Sequence, residues 1–169
     1  MIPAAVAVLL GDGDDGLEAL FIHRTVREGD TWSGQIAFPG GRKEPGDPDL
    51  LATAIRETRE EIGVDLAGVE RLGVLDDMYP RTPVLPPVFV RPFVFAVPAR
   101  PPRPPITLSA EVQDVFWVSF AALADPGARR DVTFEHRGAS RTFPAYVLGD
   151  RTIWGLTERI LTPLLELVV

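Results

Sequence analysis

Positions 39–63 constrain this chain more than any other stretch. Pro39-Gly40-Gly41 is a strong turn signal. Beyond it, Leu51, Ile55, Thr58 and Ile62 recur at i, i+4, i+7 and i+11, the spacing of one helical face. Asp47 is placed to cap such a helix, Pro48 suits its first position, and Gly63 suits the residue just past its end. The spacing predicts a helix over 48–62 that packs this stripe against a sheet. Its outer positions carry Arg56-Glu57-Thr58-Arg59-Glu60-Glu61. Glu57 and Glu61 share a face, and Glu60 lies three residues from Glu57. Like charges at that spacing repel, so the three carboxylates weaken the helix unless cations compensate. Arg56 and Arg59 compensate in part. Magnesium, which prefers hard oxygen ligands, would compensate further. An acidic helix alone is most often just a solvated surface. Gly40 and Gly41 shift the weighing, because bare backbone beside the acids can add a neutral carbonyl oxygen to an ion they hold.

The rest of the chain reads as strands around this unit. Residues 2–10 and 17–23 form an expected hairpin across the turn at 12–16, and 35–38 is a short extended piece. Further strands are expected near 69–76, 88–97 and 112–118, then a short helix from Phe120. A second hairpin is expected from 131–135 and 141–146, around Arg137-Gly138-Ala139. A terminal helix over about 152–167 would turn Ile153, Leu156, Ile160, Leu164 and Leu167 inward, with Pro163 able to bend it. Strands, a central helix, more strands and a terminal helix indicate an α+β fold: a single domain over 1–169 in which a mixed central sheet is sandwiched between helices.

The bulk numbers narrow the function classes. A chain of 169 residues with 46% hydrophobic and 24% charged residues is globular. It has no cysteine, which excludes disulfides, thiolate metal sites and thiol nucleophiles. A net charge of −7 argues against bulk nucleic acid as a partner, although metal ions can bridge an acidic surface to an anionic nucleotide. No apolar run is long enough to predict a membrane-spanning helix. The apolar start lacks a basic leader and runs into Asp12, Asp14 and Asp15. It is expected to be a mature strand, and the protein to be cytoplasmic.

Gly41 to Val64 resembles the Nudix signature: glycine, spacer, acid, spacer, then Arg-Glu-apolar-x-Glu-Glu-x-Gly-apolar. Thr58 stands at the apolar position. The front of the motif is one residue longer than usual, leaving Asp47 or Glu44 for the early acidic role. A similar expansion characterises the coenzyme A pyrophosphatase branch. The resemblance implies an α/β/α sandwich and a magnesium-dependent pyrophosphohydrolase, with manganese as a substitute ion. Glu57, Glu60, Glu61 and the Gly41 carbonyl would be metal ligands, and Arg56 would hold the carboxylates in place by salt bridges. The reaction it implies is attack of activated water on one phosphorus of a nucleotide-linked diphosphate, with the other phosphate leaving. Glu57 is the first candidate for the base. Family members also recruit an acid from a later loop, for which Glu111, Asp114 and Glu135 are candidates here. A homodimer is consistent with the resemblance.

Substrate choice rests on neighbouring segments. Gly34-Gln35-Ile36-Ala37-Phe38-Pro39-Gly40-Gly41, with His23-Arg24-Thr25 before it, is similar to an accessory motif of the coenzyme A branch. Where that branch carries an arginine, this chain has Asp30, so Arg24 or Arg27 would take over phosphate binding. Trp32 falls in the same loop and is placed to line a pocket. In the proline-rich segment 78–87, Tyr79 can stack on a base and Arg81 can bind phosphate. A plain connecting loop would look much the same. The expected substrate is coenzyme A or an acyl coenzyme A. ADP-ribose or another nucleoside diphosphate derivative is the enzymatic alternative, and a non-catalytic nucleotide sensor the alternative of a different class.

Overall fold

The structure, a computed structural model, describes residues 1–28, 34–79, 81, 87–98, 103–136 and 138–168. Asp30, Trp32, Arg137 and most of the prolines that flank Val88–Ala96 lie outside the described residues.

The described elements are β1 (Ile2–Gly13), β2 (Gly16–Arg24), β3 (Ile36–Ala37), β4 (Gly40–Arg42), α1 (Leu50–Ile62), β5 (Glu70–Val74), β6 (Val88–Ala96), β7 (Val112–Ser119), α2 (Phe120–Ala124), β8 (Arg129–His136), β9 (Ala139–Leu148), β10 (Arg151–Trp154) and α3 (Leu156–Val168). Seven strands form one mixed sheet in which β1 is central. β1 runs parallel to β6 from Ile2↔Val88 to Leu10↔Ala96. On its other edge it pairs antiparallel with two strands in turn: β4 near its start and β2 near its end. That split places Gly40 and Gly41 opposite Val6 and Ala5, at the middle of the sheet. β8, β9 and β10 form a separate antiparallel sheet.

Alternation along β1 builds two cores, as the two-residue period of a strand requires. Ala5, Ala7 and Leu9 join Leu50, Ala54 and Ile62 of α1 in one cluster. Val8 and Leu10 join Phe21, Phe116 and Ile160 and Leu161 of α3 in the other. The sheet is therefore sandwiched between helices, as the sequence indicates.

Three sequence expectations shift. The α1 helix begins at Leu50 and is capped by Asp49, which accepts from the Ala52 N–H at 2.8 Å, so Asp47 is free for another task. Its buried face is Leu50, Thr53, Ala54, Thr58, Glu61 and Ile62, while Leu51 and Ile55 are only half-buried. Ala54 and Thr58 are fully buried, and their small side chains let the helix lie close on Ala5 and Ala7. Packing selects the face that permits close approach over the face with the largest apolar residues. At the other end, Arg151–Trp154 is strand β10 paired with β9, and the terminal helix begins only at Leu156. Ile153 is buried from that strand, whereas Leu167 is 74% exposed. Gly155, with φ of 69°, makes the strand-to-helix turn in the left-handed region. Among the described residues, no helix is long and apolar enough to cross a membrane.

Candidate active site

The close contact between α1 and β4 fixes the acids. Glu61 is 2% exposed and accepts a hydrogen bond from the Gly40 N–H at 2.7 Å. Glu57 lies one turn earlier, against Gly41: a Cβ at position 41 would come within 2.5 Å of its Oε1. A Cβ at 41 would therefore push the end of the Glu57 side chain away from the sheet.

Arg56 holds the outer side of the cluster. Its Nε and Nη2 donate to the two oxygens of Asp47, each at 2.9 Å. Nη1 donates to Glu57 at 3.0 Å and Glu60 at 3.1 Å, and lies 3.5 Å from Glu44. Nη2 also donates to the Arg42 carbonyl at 3.1 Å. Asp47 is buried and also accepts from the Thr53 hydroxyl and the Glu44 N–H. The Arg56 guanidinium holds its carboxyl well below the usual range despite burial. Of the two early acids left open by the sequence, Asp47 is the buried bidentate partner and Glu44 an exposed neighbour.

A cavity of about 300 Å³ opens between the two helical layers. Glu57, Glu61, Gly40, Gly41, Arg24 and Glu111 line one wall, and Leu156, Thr157 and Ile160 of α3 line another. Burial pushes the Glu61 carboxyl up to about 8, helped by the Glu57 and Glu111 charges and opposed by the Gly40 hydrogen bond and Arg24. Burial also raises Glu57, against the pull of Arg56. A buried and a part-buried carboxylate sharing one cavity, both raised by burial, form an arrangement that a divalent cation relieves.

The site departs from the expected constellation at several residues. Glu60 is half-exposed, turned to Arg56, and does not line the cavity. Among the described residues, no three His, Asp or Glu side chains converge to hold a metal ion; Glu57 and Glu61 are the pair brought together. Glu60 follows Arg56 because the 3.6-residue period turns it away from Glu61. Arg24 lines the cavity, with Nη1 3.6 Å from Glu61 Oε2. Arg27 lies outside the lining, exposed and 3.4 Å from Glu111. Of the late acids, Glu111 lines the cavity. Asp114 is exposed beside Arg151 at 3.4 Å, and Glu135 lies exposed on β8 of the small sheet, so neither reaches it. Tyr79 is 48% exposed with its ring tilted against Phe89, and Arg81 is exposed. Trp32 lies outside the described residues. Two further lining residues carried no assigned role in the sequence: Thr157, whose hydroxyl donates to the Ile36 carbonyl at 3.1 Å, and Gln35, which falls within the Gly34–Gly41 accessory motif.

Comparison with known proteins identifies the family. The NUDIX domain profile matches residues 1–141. A mouse protein described as mitochondrial coenzyme A diphosphatase NUDT8 is 34% identical over 98% of this chain and 79% of its own length. Its human counterpart is 32% identical over 98% and 70%. Among solved structures, a MutT/nudix family protein from Enterococcus faecalis superposes with a TM-score of 0.63 at 23% identity, covering 95% of this chain and 59% of that one. The mouse and human descriptions overturn the expectation of a cytoplasmic protein: they are mitochondrial, and the character of the first residues does not decide a compartment. With carboxylates, glycine pair and orienting arginine assembled on a matching fold, the chain belongs to the Nudix family as a pyrophosphohydrolase acting on a nucleotide diphosphate moiety.

Proposed function

We propose that the substrate is coenzyme A or an acyl coenzyme A, hydrolysed with magnesium to a phosphopantetheine and adenosine 3′,5′-bisphosphate. The observation that carries this reading is the similarity, over almost the whole chain, to relatives described as coenzyme A diphosphatases. The Gly34–Gly41 segment supports it, because its Gln35, Ala37, Phe38, Gly40 and Gly41 all line the cavity.

Glu57, Glu61 and the Gly41 carbonyl would hold magnesium, with Glu60 reaching it only through water. Manganese would substitute. When bound, the ion neutralises the diphosphate and acidifies water. Arg56 fixes the Glu57 carboxylate by a direct hydrogen bond and is itself held by both oxygens of Asp47, so the orientation of Glu57 is set before substrate arrives. Arg24 reaches into the cavity beside Glu61 and would meet a phosphate there, whereas Arg27 is exposed outside the lining. A proton leaving the attacking water goes to Glu57 or to Glu111, the late acid that lines the cavity. Apolar Val88, Val90, Leu156 and Ile160 limit water around the reacting bond.

A panel of coenzyme A, acyl coenzyme A and ADP-ribose, with both products identified by mass, tests the reading. The expected result is magnesium-dependent release of adenosine 3′,5′-bisphosphate. Negligible coenzyme A turnover beside rapid ADP-ribose hydrolysis would overturn it.

A further inference from the structure

Two arginines near the α3 end of the site, neither of them in the cavity lining, have no place in the chemistry above. Arg159 stands in the first turns of α3, between Thr157 and Ile160, both of which line the cavity. Its Nη1 donates to the Tyr79 carbonyl at 2.6 Å. Its Nε is buried and has no hydrogen-bond partner among the described residues. Arg81 follows Tyr79 by two residues, so its Cα lies within about 7 Å of the Tyr79 Cα. Met78, just before Tyr79, is bridged to Val90 of the cavity lining by backbone hydrogen bonds of 2.8 and 2.9 Å, which tethers this segment to the rim.

Two nearby carboxylates are hydrogen-bonded to other arginines. Glu158 takes a 2.7 Å hydrogen bond from Arg129. Asp77 is held by both Nε and Nη2 of Arg91, at 2.8 and 3.0 Å. No described carboxylate forms an ion pair with Arg81 or Arg159. Burial and the Arg81 charge lower the Arg159 guanidinium from its ordinary value, and the Glu158 charge opposes them in part. Two like charges left together beside a cavity, one with an unmet buried donor, cost stability unless an anion joins them. The exposed ring of Tyr79, tilted on Phe89, adds a flat apolar surface next to them.

We propose that Arg81 and Arg159 form a second anion subsite that binds a terminal phosphomonoester of the substrate, apart from the diphosphate held at Glu57 and Glu61. A phosphomonoester offers three strong acceptor oxygens and close to two negative charges, which suits two guanidinium groups. On the reading of the substrate given above, that group is the 3′-phosphate of coenzyme A, which dephospho-coenzyme A lacks. The pair then sets specificity: it favours the phosphorylated nucleotide without taking part in bond cleavage.

The test compares coenzyme A with dephospho-coenzyme A as substrates of the full chain. It also compares adenosine 3′,5′-bisphosphate with adenosine 5′-monophosphate as calorimetric ligands. Each pair is measured for the wild type, Arg81→Ala and the double variant Arg81→Ala/Arg159→Met. The wild type is expected to favour the 3′-phosphorylated member by on the order of tenfold or more, through KM in the kinetic arm. The ratio is expected to fall for Arg81→Ala and to approach one for the double variant. A folding defect lowers both members together and leaves the ratio intact, so the ratio isolates recognition of the extra phosphate. No preference in the wild type, or a preference that survives the double substitution, would overturn the subsite. If neither coenzyme is hydrolysed, the substrate reading fails while the nucleotide-binding ratio still decides the subsite.

Discussion

The two walls of the cavity handle charge in opposite ways. On the α1 wall, Arg56 is surrounded by Asp47, Glu57, Glu60 and Glu44, so one guanidinium is saturated with carboxylates and the acids are locked in place. Beside the α3 wall, Arg159 donates to one backbone carbonyl and faces the like charge of Arg81, with Glu158 opposing only in part. The first wall is short of positive charge where Glu61 and Glu57 enter the cavity, and the second is short of negative charge. A metal-bound diphosphate with a further phosphate would satisfy both. The difference teaches that the internal salt bridges of α1 hold the machinery, while unmet charge marks the surfaces left for ligands.

Four substitutions would break or sharpen this contrast. The largest effect is expected for Glu61→Gln, which keeps the Gly40 hydrogen-bond geometry but removes the cavity charge. Magnesium-dependent turnover should fall by about a thousandfold or more, with the thermal unfolding midpoint little changed. An active variant would show that the α1 wall does not gather the ion. Next, Arg56→Ala leaves buried Asp47 without its main partner, and unfolding in denaturant should show a loss of about 3 kcal/mol. Gly41→Ala should lower turnover by on the order of tenfold to a hundredfold by displacing Glu57, while circular dichroism remains near that of the wild type. The smallest effect belongs to Arg27→Ala. Its ion pair with Glu111 is half-exposed on both sides, and the stability change should stay below about 1 kcal/mol.

Acid titration sharpens the same contrast from the stability side. Arg56 depresses the Asp47 carboxyl below its ordinary value of 3.8, so the folded state binds fewer protons there than the unfolded state. The resulting stability is fully present above that value and lost as the pH falls beneath it. Asp47→Asn should therefore flatten the acid limb of the stability curve measured by denaturant unfolding. A limb as steep as that of the wild type would assign acid unfolding to other groups.

How far the sequence shows the fold and site follows from the range of the interactions. The α1 helix, its Gly63 terminus and the glycine–carboxylate juxtaposition are local, and spacing reveals them. The buried face of α1 is not, because Leu51 and Ile55 advertise a stripe that the close approach of Ala54 and Thr58 to β1 overrides. Asp47 illustrates the same limit: three acids, at 44, 47 and 49, compete in one short loop, and only the fold shows that Asp49 caps while Asp47 clasps Arg56. Arg151–Trp154 reads as the start of a helix until β9 supplies its partner. Arg159 is invisible in the sequence, since its meaning depends on Tyr79 and Arg81, which approach from nearly half the chain away.

The proposed divalent-ion site rests on Glu57 and Glu61 rather than on all three glutamates. Manganese titration of the full chain by isothermal calorimetry addresses this directly, with wild type, Glu60→Gln and Glu57→Gln/Glu61→Gln compared at one pH. The prediction is that the double variant loses binding while Glu60→Gln retains most of it. Unchanged binding in the double variant, or a greater loss from Glu60→Gln, would contradict it.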